Sequence, residues 1–463
     1  MSQRVETIAA SHAPARNPSP PRHHLLALLG PAFVAAVAYV DPGNVAANIT
    51  AGARYGYLLV WVLVAANAMA VLIQYQSAKL GIVTGRSLPR NLAPRMSRAA
   101  RLAFLVQAEA VAVATDLAEV IGGAIALHLL VGMPLLAGGC LVGVFSLLLL
   151  VIQERRSQRT FEGLVVGLLV IVTIGFVGGL VVSPPDWSEA ARGLLPRLEG
   201  SGSLLVAASM LGATVMPHAI YLHSSLVGDH HREADGEPAA RPDGDRSGSA
   251  EVDSHDGAEP NGVRLASSPS STAPSQDART RRLLRATRVD VLWALSVAGA
   301  VNIALLLLAA SALAGASGTD TIEGAHAAIS ASLGPAVGVV FAVGLLASGL
   351  ASTSVGAYAG SEILSGLLDV HVPLLAQRLL TLVPALVIIA LGAEPTWALV
   401  VSQVVLSFGI PFAVLPLQAL TGSKRVMGPW RDGAVLRWTS RAVALVVVAL
   451  NVALVWLIIT GRG

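Results

Sequence analysis

The stretch AYVDPGN, residues 38–44, interrupts an apolar run that extends from residue 25 to residue 52. Pro42 lacks a backbone N–H and clashes with the preceding helical turn, and Gly43 tolerates unusual backbone dihedrals. The sequence therefore predicts a helix that unwinds here, with Asp41 and Asn44 beside freed backbone carbonyls such as that of Ala38. A simple kink around a hydrogen-bonded Asp41 is the alternative interpretation.

The composition places this break inside a membrane. Of the 463 residues, 54% are hydrophobic and 13% are charged, whereas soluble domains carry about 25% charged residues. The mean hydropathy is +0.68, so too little polar surface remains to cover a water-soluble protein of this size. Most cytosolic enzymes, nucleic-acid-binding proteins and disordered chains are excluded. The single cysteine, Cys140, also excludes an intrachain disulfide.

Long apolar runs without alternation predict membrane-spanning helices and argue against a β-barrel. We therefore predict an all-α integral membrane protein in which residues 25–183 and 203–420 form two five-helix halves and residues 436–460 an eleventh span. The predicted spans lie near residues 25–52, 56–83, 100–131, 134–153, 161–183, 203–228, 286–316, 334–366, 373–392, 396–420 and 436–460.

A second break falls in the sixth span, at GATVMPH, residues 212–218. Alone, Met216 would be read as core packing and Pro217 as an ordinary kink. However, the first and sixth spans each begin one of the two halves. Interrupted helices in corresponding positions mark the binding site of transporters built from inverted repeats, so the pairing favours a functional site.

Basic residues cluster after the second, fourth and tenth spans and before the seventh. Because cytoplasmic loops are enriched in Arg and Lys, the N-terminus is predicted to be cytoplasmic and the C-terminus outside. The net charge of +3 reflects this topology and indicates no nucleic-acid partner. Residues 1–24 and 229–281 are predicted to be disordered cytoplasmic segments. In the second segment, His230, His231 and His255 form either a weak metal-collecting site or part of a solvated linker.

The third span carries three carboxylates, Glu109, Asp116 and Glu119, at positions that share one helix face. Ionisable residues inside a membrane are costly and usually functional. The stripe therefore suggests a proton relay. Structural pairing with arginine or backbone groups is the alternative, and Glu109, nearest the cytoplasmic end, fits it best.

The residues at the two breaks suggest a metal site. Asp41, Asn44 and freed carbonyls offer oxygen ligands, and Met216 adds a thioether. Hard ions such as Ca²⁺ and Mg²⁺ gain little from sulfur, so this set tilts selection toward Mn²⁺, Fe²⁺ and softer ions such as Co²⁺ or Cd²⁺. Asp41 could exchange a proton for the metal, and proton-coupled symport follows as a hypothesis.

Three motifs resemble signatures of the Nramp (MntH-type) family of divalent-metal transporters: DPGN at 41–44, ATDLAEVIG at 114–122 and MPH at 216–218. The similarity covers residues 25–460 and includes Ser352-Thr353, SQVVLS at 402–407, PFA at 411–413 and Met427-Gly428. It implies a LeuT-like fold and proton-linked uptake of Mn²⁺ and Fe²⁺ by alternating access, with no resident cofactor. We expect a functional monomer in the plasma membrane. The resemblance assigns metal ligation to Asp41, Asn44, Met216 and the carbonyls of Ala38 and Ala213, and the proton pathway to His218, Asp116, Glu119 and Arg378; His223, Glu109 and Gly409 are accessory candidates.

Four positions depart from the family pattern. Gly409 stands where a glutamine is usual, in the part of the tenth span expected to close over the metal. Gln377 replaces the first of two adjacent arginines in the ninth span, Leu350 a usual glutamine and Ala219 a usual asparagine. These departures affect the expected details of occlusion and coupling. The residues 229–281 form an insertion.

Three alternatives remain open. One is the same fold carrying an organic solute with Na⁺, although Asp41 would repel a substrate carboxylate and Met216 would have no role. A second is a Mg²⁺ transporter of the same superfamily, expected to lack the methionine. The third is an intramembrane metalloenzyme, but no span contains the His or Cys spacing that such a site needs.

Overall fold

The computed structural model describes residues 32, 35, 36, 38–155, 158–234, 273–315, 318, 321–368 and 373–460. Within these ranges the chain is helical and contains no strand. Three-residue 3₁₀ turns occur at Ala38–Val40, Ala93–Arg95 and Gly428–Trp430. The α-helices are α1 (Pro42–Tyr55), α2 (Val60–Thr84), α3 (Leu88–Leu92), α4 (Arg98–Val131), α5 (Leu135–Arg155), α6 (Gln158–Val182), α7 (Trp187–Arg192), α8 (Gly200–Thr214), α9 (Pro217–Ala234), α10 (Ala273–Ala312), α11 (Ile322–Leu333), α12 (Pro335–Leu368), α13 (Leu374–Ala390), α14 (Pro395–Thr421), α15 (Lys424–Met427) and α16 (Ala434–Ile459).

The helices follow the predicted spans closely from the second span onward, and their ends differ from most of the predicted bounds by only a few residues. Among the described residues, seven helices are long and apolar enough to cross a membrane by length and composition, and three shorter apolar helices contain 10–17 residues. The all-helical membrane fold is therefore confirmed. The first and sixth spans are both interrupted, as predicted, before Pro42 and before Pro217.

The predicted bounds of the cytoplasmic loop need correction. Residues 229–234 belong to the end of α9, and residues 273–281 form the start of α10. A helix can continue beyond its apolar part into water because its backbone hydrogen bonds stay satisfied, and Ala, Arg and Leu at the start of α10 favour this. The rest of the predicted loop, with His255, and the predicted disordered residues 1–24 lie outside the described residues.

Close helix packing positions the two breaks. Helix α4 lies in the interior and packs along α12, while α10 packs against α1 and α2. Small residues permit this proximity. A Cβ atom at Gly52 would lie 2.5 Å from the Leu306 carbonyl oxygen, and one at Gly349 would lie 2.9 Å from that of Glu119. These glycines therefore bring α1 against α10 and α12 against α4.

The outer helices expose apolar side chains. Ile174 and Val181 on α6 are 66% and 83% exposed, and Leu445 on α16 is 70% exposed. Apolar surface of this extent would be unfavourable in water and is suited to lipid. The short helices α3, α7, α11 and α15 were not predicted, because each lies in a connection that lacks a long apolar run.

Candidate functional site

The first break is built around Asp41. This residue has extended backbone dihedrals, φ −80° and ψ 167°, and is the N-cap of α1. Its Oδ1 atom accepts a hydrogen bond of 2.8 Å from the Asn44 N–H, as Asp commonly does at an N-cap. Pro42 occupies the first helical position, where its missing N–H costs nothing. The sequence DPGN therefore starts α1 with a buried carboxylate at its end.

Side chains from distant helices hold the carbonyl groups before the break. Asn302 of α10 donates from Nδ2 to the Tyr39 carbonyl oxygen at 2.6 Å. The Ser348 hydroxyl of α12 donates to the Val40 carbonyl oxygen. These bonds satisfy backbone groups that have no helical partner. Ala38 is fully buried in the same 3₁₀ turn. The unwound backbone is thus fixed by α10 and α12.

The second break separates α8 from α9 by two residues. Helix α8 ends at Thr214, Val215 has φ −99° and ψ 78°, and α9 begins at Pro217. Met216 lies in this link and is fully buried. The break therefore places the Met216 thioether directly after the last backbone carbonyls of α8.

The Asn44 side chain joins the two breaks. Its Nδ2 atom donates to Asp41 Oδ1 at 2.6 Å and to the Ala213 carbonyl oxygen at 2.8 Å. Its Oδ1 atom accepts from the Thr214 hydroxyl at 3.3 Å. Two oxygens predicted as metal ligands thus converge on one amide nitrogen. Among the described residues, buried Asp41 Oδ2 has no hydrogen-bond partner, so it is available to a cation.

Gln403 of α14 lies beside this site, although the sequence analysis assigned it no role. A Cβ atom at Gly43 would lie 1.8 Å from Gln403 Nε2 and 2.9 Å from Asp41 Oδ2. Gln403 is 2% exposed, and its Oε1 atom lacks a hydrogen-bond partner. The absence of a side chain at Gly43 therefore admits an amide next to Asp41. An isolated glutamine in an apolar span was the available signal.

Gly409 of α14 lies against α4 and the start of α9. A Cβ atom there would approach Val111, Pro217 and Gln107, at 2.6, 3.0 and 3.1 Å. Pro217 begins α9 at the second break, so position 409 lies beside that break but carries no side chain that could reach the metal. Gln403 is the α14 amide that lies beside Asp41.

The carboxylates on α4 have different partners. Asp116 forms an ion pair with Arg378 of α13, and both side chains are buried. Arg378 also donates from Nε to the Ser146 hydroxyl at 2.8 Å. Glu119 is fully buried, and neither carboxylate oxygen has a hydrogen-bond partner. The structure thus brings Asp116 and Arg378 together, whereas Glu119 forms no ion pair with any residue that the structure describes.

Glu109 forms a separate contact. Gln377 Nε2 lies 3.2 Å from its Oε1 and 2.9 Å from its Oε2. The partner of this carboxylate is therefore a neutral amide, at one of the positions where the sequence departs from the family pattern. The structural alternative named arginine or backbone groups as partners, and the structure instead shows a glutamine side chain.

His218 and His223 of α9 also lie in different networks. His218 Nδ1 is 3.4 Å from the Thr115 hydroxyl of α4, and its Nε2 has no partner. Thr115 immediately precedes Asp116, so His218 contacts the helix that carries the carboxylates. His223 Nδ1 is 2.8 Å from Gln74 Oε1, and Gln74 Nε2 donates to the Tyr39 hydroxyl at 2.7 Å. The sequence analysis missed the Gln74 link to the first break.

The metal-ligand set is unusual in its composition. Over the described ranges, no group of three or more His, Cys, Asp or Glu side chains is placed to hold a metal ion. A site at the two breaks would therefore use one carboxylate together with amide, carbonyl and thioether groups. A set with one charged ligand, no thiolate and no imidazole would hold a transition-metal ion less tightly than a cluster of such ligands.

The fold defines the broad class. The chain resembles the solved structure of MhsT in complex with L-phenylalanine, with a TM-score of 0.55 and 13% identity over 93% of this chain and 99% of that one. At this identity the similarity concerns the fold alone. Together with the two interrupted helices, it defines a membrane protein of the LeuT-like fold, with inverted five-helix repeats and an eleventh helix.

Closer similarities identify the family. The family model described as Nramp, natural resistance-associated macrophage protein-like, matches residues 32–457. The "Divalent metal cation transporter MntH" of Mycobacterium tuberculosis H37Rv is 53% identical over 434 residues, covering 94% of this chain and 92% of that protein. A mutant structure of the Eremococcus coleocola manganese transporter has a TM-score of 0.77 and 28% identity, covering 94% of this chain and 87% of that one. The chain belongs to the Nramp family.

Proposed function

We propose that this protein is a secondary transporter that carries Mn²⁺ and Fe²⁺, and also Co²⁺ or Cd²⁺, together with protons into the cytoplasm. The observation that carries the proposal is the Asn44 side chain, which joins Asp41 at the first break to Ala213 at the second. The names of the MntH relatives and of the manganese transporter support a divalent metal as the substrate.

The site suggests how an ion enters. Asp41 Oδ1 and the Ala213 carbonyl oxygen both accept from the Asn44 amide, so a dication at these oxygens would displace its N–H groups. Asn44 would then turn its own oxygen toward the ion. Met216 would add the thioether that favours transition metals over Mg²⁺ and Ca²⁺. The ligand set would comprise Asp41, Asn44, Met216 and the carbonyls of Ala38 and Ala213, with Gln403 beside it.

Protons would leave by the carboxylates of α4. Asp41 binds the metal as a carboxylate, so metal entry would release any proton that it carries. Glu119, a fully buried carboxylate without an ion-pair partner among the described residues, is suited to receive a proton. Asp116, which pairs with Arg378 of α13, lies on the same face of α4 as Glu119, and His218 contacts α4 through Thr115. These residues form the proposed pathway.

We further propose a monomer in the plasma membrane. The distribution of basic residues supports a cytoplasmic N-terminus and an outside C-terminus. Alternating access would occur between the two halves around the site at the breaks. As a member of a transporter family the chain is not an enzyme, and the metalloenzyme interpretation is set aside.

The test is a competition assay in proteoliposomes that contain a pH-sensitive dye. Mn²⁺ entry should acidify the interior, and Fe²⁺ and Cd²⁺ should compete whereas Mg²⁺ and Ca²⁺ should not. Asp41→Ala should abolish uptake. Glu189→Ala is a matched control because it removes an exposed carboxylate on α7 and should leave uptake unchanged.

Two results would contradict the proposal. Wild-type uptake by Asp41→Ala would exclude the site at the breaks. Metal entry without acidification would exclude symport. Inhibition by Mg²⁺ as strong as that by Mn²⁺, or uptake driven by Na⁺ in place of a proton gradient, would favour one of the alternative substrates of the same fold.

A further inference from the structure

A cavity of about 390 Å³ lies between the end of α14 and the start of α16. Gln418 and Ser423 line it from the end of α14 and the connection that follows, and Arg437 and Arg441 line it from the first turns of α16. None of these four residues contributes to the metal site or to the proposed proton pathway. The cavity therefore requires a separate explanation.

The cavity carries positive charge without a counter-ion. Asp432 also lines it, but its Oδ1 accepts from Lys79 Nζ at 2.7 Å and its Oδ2 accepts from Gln76 Nε2 at 2.7 Å. In the described part of the chain, no carboxylate forms an ion pair with Arg437 or Arg441. Two guanidinium groups therefore remain available to an anion.

The other polar groups of the lining are largely bonded within the protein, except one acceptor, Gln76 Oε1, that has no partner among the described residues. The Ser440 carbonyl oxygen accepts from Gln418 Nε2 at 2.7 Å, and the Ser440 hydroxyl donates to the Leu436 carbonyl oxygen at 2.6 Å. The Ser423 hydroxyl does not cap the short helix α15. Two guanidinium groups and a hydroxyl suit an anion with several acceptor oxygens. Arginine binds phosphate in this way through two parallel N–H groups.

The cavity continues into an apolar surface. Leu415 lines the cavity and is 48% exposed. Phe412, which lies one turn earlier in α14 and farther from the cavity end of that helix, is 47% exposed. On α16, Trp438 is 68% exposed, and its ring centroid lies 5.1 Å from the Arg441 guanidinium carbon. Exposed apolar residues of membrane helices face acyl chains, and Trp is enriched at the membrane interface. A phosphate group in the cavity would thus be followed by acyl chains along α14 and α16.

We propose that this cavity binds the phosphodiester headgroup of an anionic phospholipid such as phosphatidylglycerol. Basic pockets between transmembrane helices on the cytoplasmic side bind anionic lipid headgroups. Assigning the cavity to the cytoplasmic leaflet depends on the proposed orientation, whereas binding itself does not depend on the transported ion. Free phosphate has the same headgroup chemistry but cannot use the apolar surface formed by Leu415 and Phe412.

The test is lipid titration of the purified full chain in detergent, followed by native mass spectrometry. The probes are palmitoyl-oleoyl-phosphatidylglycerol, palmitoyl-oleoyl-phosphatidylcholine and inorganic phosphate. The variant Arg437→Gln/Arg441→Gln removes both guanidinium groups. The control Arg86→Gln/Arg98→Gln removes two exposed arginines that do not line the cavity.

The double cavity variant should bind phosphatidylglycerol about thirtyfold more weakly than the wild type, and the control should match the wild type. Phosphatidylcholine should bind the wild type and the double cavity variant equally weakly. Millimolar inorganic phosphate should not displace phosphatidylglycerol from the wild type. Arg441→Gln alone should weaken binding about fivefold, which keeps the test valid when the double variant does not fold. Equal losses of phosphatidylglycerol affinity in the cavity and control variants would overturn the proposed site. Equal affinity of the wild type for the two lipids would overturn it as well. Displacement of phosphatidylglycerol by inorganic phosphate would overturn the assignment of the ligand as a lipid.

Discussion

Neutralising one partner of the buried ion pair between Asp116 and Arg378 should destabilise the protein, whereas neutralising both should leave its stability nearly unchanged. The two side chains are 3% and 0% exposed. The variant Asp116→Asn keeps the hydrogen bond between Arg378 and Ser146 but leaves the buried guanidinium without a carboxylate partner. Breaking a buried pair by removing one partner costs about 3–5 kcal/mol. Arg378→Gln should cost a similar amount because it leaves the Asp116 charge unpaired.

The expected melting temperatures follow from the chain length. An unfolding entropy of about 2.1 cal/mol/K per residue gives about 1 kcal/mol/K for a chain of this size. Each single variant should therefore melt about 3–5 °C below the wild type. The double variant Asp116→Asn/Arg378→Gln removes both charges and leaves two amides that can bond to each other. Because replacing a whole buried pair is often neutral, it should melt within about 2 °C of the wild type.

Thermal unfolding of the purified full chain, followed by fluorescence, measures these shifts. Ser146→Ala is the matched control, because it removes a neutral partner of Arg378 and keeps the ion pair; its cost should be about 1–3 kcal/mol. In proteoliposomes, all three charge variants should lose acidification driven by Mn²⁺, including the stable double variant. A double variant as unstable as the sum of the singles would refute the role of the pair in stability. A double variant that acidifies like the wild type would remove both residues from the proton pathway.

Three further variants address the metal site and the coupling. Met216→Ala should keep Mn²⁺ uptake but weaken discrimination against Ca²⁺ and Mg²⁺ in the competition assay, and an unchanged selectivity would exclude a role for the thioether. Glu119→Gln should abolish proton entry measured with the internal dye; normal acidification would show that this carboxylate carries no proton. Gly43→Ala should weaken Mn²⁺ binding, measured by calorimetry, about 10–100-fold, because the new Cβ would displace Gln403 from Asp41. Gly433→Ala, where a Cβ meets no atom within 4 Å, is its control, and equal affinity in both variants would contradict the placement of Gln403.

The two helix breaks could be predicted because their causes are local. Pro42 and Pro217 each begin a helix, and proline cannot take part in the hydrogen bonding of the preceding turn. Asp41 then acts as an N-cap, which depends only on residues three positions apart. The helix ends, the apolar spans and the starting points of the site therefore follow from short stretches of sequence.

The groups that complete the site could not be predicted in this way. Asn302 and Ser348, which hold the carbonyls of Tyr39 and Val40, are 263 and 308 residues away along the chain. Their role depends on how α10 and α12 pack against the first break. Nothing in the neighbourhood of either residue in the sequence distinguishes it from an ordinary polar residue in a span.

Gly409 and Gln403 meet different neighbours for a geometric reason. Six residues rotate a helix by about 240° and advance it by about 9 Å, so these positions face different neighbours. Motif matching gives the position of a residue along a span but not the face that meets Asp41. That face is set by the packing of α14 against α8, where a Cβ at Gly212 would lie 3.0 Å from Ser407 Cβ and 3.3 Å from the Gln403 carbonyl oxygen.

The hydrogen bonds of Asn44 give the proposed site a reason to release its ion. An incoming dication must replace two bonds that the amide donates to Asp41 and Ala213, at 2.6 and 2.8 Å. One of these has an ionised acceptor when Asp41 is charged, and together such bonds are worth about 2–4 kcal/mol. Their loss would weaken metal affinity by about 30–1,000-fold relative to the same ligands without internal partners. When the ion departs, the same bonds re-form between the two breaks, so the amide stabilises the empty carrier. A transporter needs this balance because a site that bound its ion without such competition would not let it go.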